Sequence, residues 1–196
     1  MSPRVSFLAF LAALLIVPLF ASPGTASAGS SADSPRTILR LRGGAAFKTD
    51  GRDEVGWVAG GAIGYAVHPN VLVSLNLDRV HVNSFGTSVH PALLQFEFGA
   101  PLSRRFAPRF EIGAGVYART VRGLIYQPVP LGGGLTDRLV AGGPSSSSYP
   151  FGLMIGGGIS AAMTGNARLD LDARYHQNTE SVVFDTVSLG ITYGLR

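Results

Sequence analysis

The stretch Ala167-Arg168-Leu169-Asp170-Leu171-Asp172-Ala173-Arg174-Tyr175-His176 decides the fold. Its apolar and polar residues alternate without interruption. In an extended strand successive side chains point to opposite faces. Ala167, Leu169, Leu171, Ala173 and Tyr175 therefore share one face, and Arg168, Asp170, Asp172, Arg174 and His176 share the other. A helix would scatter both sets around its circumference.

The same alternation recurs along the chain. Residues 185–195 set Val187, Leu189, Ile191, Tyr193 and Leu195 against Ser188, Gly190, Thr192 and Gly194. Residues 108–119 set Phe110, Ile112, Ala114, Val116 and Ala118 against Arg109, Glu111, Gly113, Gly115 and Tyr117, and 89–99 set Leu94, Phe96 and Phe98 against Gln95, Glu97 and Gly99. With 37–48, 56–67, 71–82, 150–163 and 166–178 this predicts eight strands. In 71–82 the phase slips. Val71, Val73, Leu75 and Leu77 oppose Ser74, Asn76 and Asp78, after which the apolar residues are Val80 and Val82. Either a bulge lies near Arg79 or the apolar contact ends there. The connections at His68-Pro69-Asn70, 101–107 and Thr164-Gly165-Asn166 are short, and those at 49–55, 83–88, 120–149 and 179–184 are mostly longer. An even strand count with this asymmetry predicts an all-β, eight-stranded antiparallel up-and-down transmembrane β-barrel, turns on the periplasmic side and loops outside.

Two architectures use such a pattern: a membrane barrel with its apolar face to lipid, and a secreted lipocalin-like barrel with that face around a ligand. Three features favour lipid. The polar face is crowded with small residues, among them Gly56, Gly60, Ala62, Gly64, Gly152, Gly156, Gly158 and Ser160. Its charges nearly balance. Aromatic residues sit on the apolar face near the strand ends, with Phe47, Trp57, Phe151 and Tyr175 outside and Tyr65, Phe98, Phe110 and Tyr193 on the periplasmic side. Two such girdles are what membrane interfaces select.

The first residues read as an address. Arg4 precedes an apolar run from Phe7 to Phe20, and Ala26 and Ala28 stand before Gly29 as in an A-x-A cleavage site. The expected organisation is a cleaved signal peptide at 1–28, a short segment at 29–36 and the barrel at 37–196, with a long extracellular connection at 120–149. Composition agrees with export into a membrane. Charged residues make up 14%, Lys48 is the lone lysine, and there is no cysteine. A soluble domain carries charge on about a quarter of its residues. Removing Arg4 from the 16 basic residues leaves 15 against 12 acidic ones, a net +3 too scattered for nucleic-acid binding. Cysteine-based metal sites are excluded, and His68, His81 and His90 lack metal-ligand spacing, so neither metal nor cofactor is expected.

An eight-stranded barrel is just wide enough for side chains to fill it. Alternation sends Arg40, Arg42, Arg109, Arg168 and Arg174 inward with Asp78, Glu97, Glu111, Asp170 and Asp172. Unpaired charges there would be heavily penalised, so a plug of Arg–carboxylate pairs is expected.

Given the signal peptide, the opening Arg40-Leu41-Arg42-Gly43-Gly44 and the closing Val187-Ser188-Leu189-Gly190-Ile191-Thr192-Tyr193-Gly194-Leu195-Arg196, residues 37–196 resemble the small porin-like outer-membrane β-barrel family. That group includes OmpX, OmpW and the OmpA transmembrane domain. The resemblance implies a bacterial Gram-negative cell envelope, outer-membrane lipids and lipopolysaccharide as neighbours, the barrel-assembly machinery during biogenesis, and a monomer. Members commonly end on an aromatic residue, whereas here Tyr193 is the last aromatic and Arg196 ends the chain. The expected role is structural or porin-like. The alternative is an OmpW-like channel or transporter for a small apolar ligand, with the apolar residues of 120–149 (Leu124, Ile125, Tyr126, Val129, Leu131, Leu135, Leu139 and Val140) as a lid. Lipid A deacylases, also eight-stranded barrels, carry His-x-Ser-Asn on the seventh strand. Here His176 is present, Asn178 stands in place of the serine, and Ser181 lies three residues further on. A lipid A-modifying hydrolase is therefore disfavoured, no enzyme is expected, and His176 is read as a polar rim residue.

Overall fold

The computed structural model describes residues 37–48, 54–82, 87–99, 105–131, 134–163, 165–180 and 182–195; the expected signal peptide, 29–36 and Arg196 lie outside them. Among the described residues, nine antiparallel strands follow in chain order: β1 (Thr37–Lys48), β2 (Glu54–His68), β3 (Val71–Val82), β4 (Thr87–Gly99), β5 (Phe106–Leu131), β6 (Gly134–Ser148), β7 (Phe151–Ala162), β8 (Ala167–Asn178) and β9 (Val183–Leu195). Eight of them form a ring in the order β4-β3-β2-β1-β9-β8-β7-β5, and the β4–β5 pairing closes it. The result is a closed eight-stranded up-and-down barrel.

β6 stands outside the ring. The first half of β5 pairs with β7 from Phe106↔Ala161 to Val116↔Phe151. Beyond the barrel β5 continues and pairs with β6, from Arg119↔Ser148 to Leu131↔Gly134. The connection expected at 120–149 is thus a long β-hairpin rather than a structureless loop. The physical reason is local: Thr120, Val121, Ile125, Tyr126 and Val129 favour extended backbone. Gly132-Gly133 between the paired Leu131 and Gly134 is the composition of a two-residue hairpin connection.

At the other end, His68-Pro69-Asn70 joins β2 to β3 in a short turn, and Gly165-Asn166 leads into β8. Gly165 has φ of 63°, the left-handed conformation that glycine adopts without steric cost. Asn166 then ties this turn to β9, donating from Nδ2 to the Gly194 carbonyl at 3.1 Å. The end holding these turns, Thr37 and Leu195 is called here the turn end, and the opposite one the loop end.

The phase slip in β3 has a definite outcome. β2 and β3 stay in register from Gly56↔Val82 to Ala66↔Leu72, so there is no bulge at Arg79. Alternation continues instead. Val80 points into the lumen and is buried, while Arg79 and His81 face outward. The irregularity in this pairing lies at the opposite end, between Ala66 and His68, beside the His68-Pro69-Asn70 turn.

The polarity of the barrel is inverted relative to a water-soluble domain. Leu41, Leu77, Leu153 and Leu189 are among many large apolar side chains exposed on the outer wall, each more than half accessible. The arginines and carboxylates of the alternating strands are buried inside. Such a continuous apolar exterior far exceeds what a soluble monomer exposes.

Candidate functional site

The lumen holds the chemistry, and it is built in two layers. The layer towards the turn end is ionic. Arg40 on β1 makes a bidentate pair with Glu97 on β4, at 2.7 Å from Nη1 to Oε1 and 3.0 Å from Nη2 to Oε2, and its Nε donates to Thr192 Oγ1 at 2.8 Å. Arg42 forks onto Asp78 of β3, with Nε 2.9 Å from Oδ1 and Nη2 bonded to Oδ2. Arg109 on β5 is the hub. Its Nε donates to Glu111 Oε1 at 2.9 Å, its Nη1 to Asp170 Oδ1 at 2.9 Å and to Ser160, and its Nη2 to Asp172. Arg174 completes the group by donating from Nε to Glu111 Oε2 at 2.7 Å. Ser160 and Thr192 both donate to Asp170. Arg168 donates to the Ser160 carbonyl at 3.1 Å.

All ten of the charged residues assigned inward from the sequence are buried in this layer. Low dielectric and excluded water make each pair costly to break, because the surviving partner would remain buried and uncompensated.

Three of the pairs that reach across an intervening strand do so at a glycine. Gly60 of β2 stands in register between Arg42 and Asp78. Gly158 of β7 stands between Arg109 and Asp172, and Gly156 between Glu111 and Arg174. A Cβ on Gly60 would collide with Asp78 Oδ1, and one on Gly158 with Asp172 Oδ1. The small residues of the inward face therefore do more than fit a narrow lumen. They clear the path for charge pairs between strands that are not neighbours.

Above this lies an apolar layer that alternation alone does not reveal. Ala46, Val58, Val80, Val89, Leu93, Tyr117, Met154 and Phe184 pack together inside the barrel near the loop end. His176 belongs to this layer. It is 1% exposed, so it is a buried residue and not a rim residue. Its ring stacks on Phe184 with centroids 4.5 Å apart and planes 10° from parallel. Tyr117 meets both rings edge-on, and its hydroxyl lies 3.1 Å from His176 Nδ1 and donates to the Leu153 carbonyl at 3.1 Å. The sequence signal for this layer is the phase slip at Val80, together with Val89, Leu93, Tyr117 and Met154 on the inward phase of their strands.

Asn178, aligned with the serine of the deacylase motif, has a structural duty. Its Oδ1 accepts hydrogen bonds from the backbone N–H of Glu180 at 3.0 Å and of Val182 at 3.1 Å, closing the β8–β9 turn. Ser181 lies outside the described residues.

The aromatic residues assigned to the two girdles all face outward. Phe47, Trp57, Tyr65, Phe98, Phe151 and Tyr193 are exposed, and Phe110 and Tyr175 are partly exposed. Phe98 and Phe110 are directly paired across β4 and β5 at the turn end. Between the girdles the wall has an apolar hollow around Ala114, bordered by Leu94, Phe96, Ile112, Leu153 and Ile155.

A closed ring of eight antiparallel strands, apolar outside and ionic inside, is the architecture of outer-membrane β-barrels. Among solved structures, Neisserial surface protein A is similar over 83% of this chain and 99% of its own, at 16% identity and a TM-score of 0.63. The N-terminal β-barrel domain of Pseudomonas aeruginosa OprF is similar over 83% and 99%, at 12% identity and a TM-score of 0.57. Ail, the attachment invasion locus protein of Yersinia pestis, is similar over the same shares, at 14% identity and a TM-score of 0.53. At these identities the likeness is one of fold. No family model matches the chain, and no curated protein matches it in sequence.

Proposed function

We propose that this protein is a closed structural barrel of the bacterial outer membrane, with no open pore and no catalytic activity. The observation that carries this reading is the filled lumen. Across one level, Arg40, Arg42, Arg109 and Arg174 tie β1, β3, β4, β5 and β8 together through five carboxylates. Above them, apolar side chains pack inside the barrel with the stacked rings of His176 and Phe184, which Tyr117 meets edge-on. An ion passing through would have to displace paired arginines and then shed its hydration in an apolar layer, and each step costs several kcal/mol. The apolar exterior and its two aromatic levels support the membrane location. The burial of His176, away from the outer wall where an acyl chain would lie, supports the non-enzymatic part.

The lumen predicts its own electrical behaviour. Purified protein inserted into a planar lipid bilayer should give no large, stable conductance. Steady open-channel currents of porin size would refute the closed-barrel reading.

A further inference from the structure

The apolar cover of the outer wall is broken at one corner of the loop end. On β3 the outward residues run Val71, Val73, Leu75, Leu77 and then change to Arg79 and His81. The register sets His90 of β4 opposite Arg79, because Leu77 pairs with Ala92 and Val80 with Val89. His81 pairs with Trp57 on one side and with Ser88 on the other. Three basic side chains from two strands thus share a patch with the outer-girdle tryptophan.

The patch is organised. The Arg79 guanidinium carbon lies 5.7 Å from the centre of the Trp57 ring, within cation–π range. The His81 ring is 5.8 Å from the same indole. His81 Nδ1 lies 3.2 Å from Ser88 Oγ, which leaves Nε2 as the ring nitrogen able to face a ligand. Arg79 and His90 are exposed. The carboxylates Asp78, Glu97, Glu111, Asp170 and Asp172 all point the other way, into the lumen. An arginine on a lipid-facing wall is costly at the bilayer midplane and nearly free at the interface, where a long side chain can reach the headgroups.

We propose that Arg79, His81 and His90 hold the phosphate of a membrane lipid whose acyl chains lie along Leu75, Leu77 and Leu94. The cationic end matches the headgroup, and the apolar wall directly below it matches the chains. This rests on the membrane reading above, and the test separates the two.

Trp57 is the chain's single tryptophan, so its fluorescence reports on this patch alone. The protein is reconstituted in phosphatidylcholine vesicles containing a minor fraction of either acyl-brominated phosphatidic acid or acyl-brominated phosphatidylcholine. The acidic lipid should quench Trp57 at a lower mole fraction, with a preference of about fivefold or more, the size expected for one arginine near an anionic headgroup. The preference should collapse in the Arg79→Gln, His81→Gln, His90→Gln variant. It should persist in Arg119→Gln, whose arginine pairs with Glu180, and in millimolar inorganic phosphate. Equal quenching by the two lipids, an undiminished preference in the triple variant, or its loss to free phosphate would each overturn the lipid site. If neither lipid quenches Trp57, the membrane reading itself falls, and the site with it.

Discussion

Gly60 shows how one missing side chain can hold a barrel together. The Arg42–Asp78 pair spans from β1 to β3 across the β2 backbone, and it does so through the space a Cβ at residue 60 would fill. Gly43 on β1 is the natural contrast. It faces outward, and a Cβ there would meet only the Val58 carbonyl oxygen, at 3.8 Å. Gly60→Ala should therefore cost about 3–5 kcal/mol, the scale of a buried ion pair broken on one side. Gly43→Ala should be neutral or stabilising by a few tenths of a kcal/mol, since it removes backbone freedom from the unfolded chain without a clash. Urea unfolding in lipid vesicles, followed by Trp57 emission, measures both. Equal midpoints for the two variants would show that the glycine gap is incidental. The charged residues themselves were legible from period-two alternation. The gap was not, because it depends on register across three strands, which the sequence of any one strand does not carry. The apolar layer was hidden for a related reason: alternation says which residues share a face, and a face need not be uniform along its length. Val80 looked like a defect because Asp78 had made its face look polar.

The β5–β6 hairpin raises the same issue at the level of elements. A length of about 30 residues argued against a simple loop, and the Gly-Gly pair between β-forming residues was the unused sign of a hairpin. Prolines at Pro128 and Pro130 obscured it, since proline is depleted in strands; here they fall where β5 pairs only with the outermost strand β6. Energetically the hairpin is separable. The ring contacts of β5 end at Val116↔Phe151 with β7 and at Ser88↔Thr120 with β4. Register shifts at Val121/Gly123 and Gly123/Leu124 then set the outer hairpin apart from the barrel stem. Excising residues 124–142, so that Gly123 joins its pairing partner Gly143, should leave the barrel's unfolding midpoint within a few degrees of the full-length value. A collapse of the folded state would show instead that the hairpin belongs to the cooperative unit. The same variant addresses the apolar-solute alternative, because equal uptake of a small hydrophobic solute by cells carrying either form would remove the lid role from these residues.

For the whole molecule the decisive property is which side of the wall is apolar. A secreted ligand-binding barrel and a membrane barrel share the alternating sequence, and they differ in the direction the apolar phase faces. That direction follows from size and charge. Eight strands enclose a space that the inward side chains of this chain fill with ten charged groups, and arginines and carboxylates pair with one another there. Turned outward, the same arginines and carboxylates would gain water, but Leu41, Phe96, Phe98, Trp57 and Tyr193 would have to crowd into a lumen already too narrow for them. The observed arrangement leaves those residues exposed, and the apolar belt gains its transfer free energy only when lipid covers it. The expected outcome is partition: after cell lysis and fractionation the protein should sediment with the outer membrane, resist extraction by high salt or alkaline carbonate, and come into solution only with detergent. Peripheral attachment through the basic patch at Arg79 would be released by salt, because exposed charges are screened within about 10 Å at 0.1 M and within about 3 Å at 1 M. Recovery in the periplasm or the medium would mean that some partner covers the belt in water, and it would reverse the assignment of the outer wall to lipid.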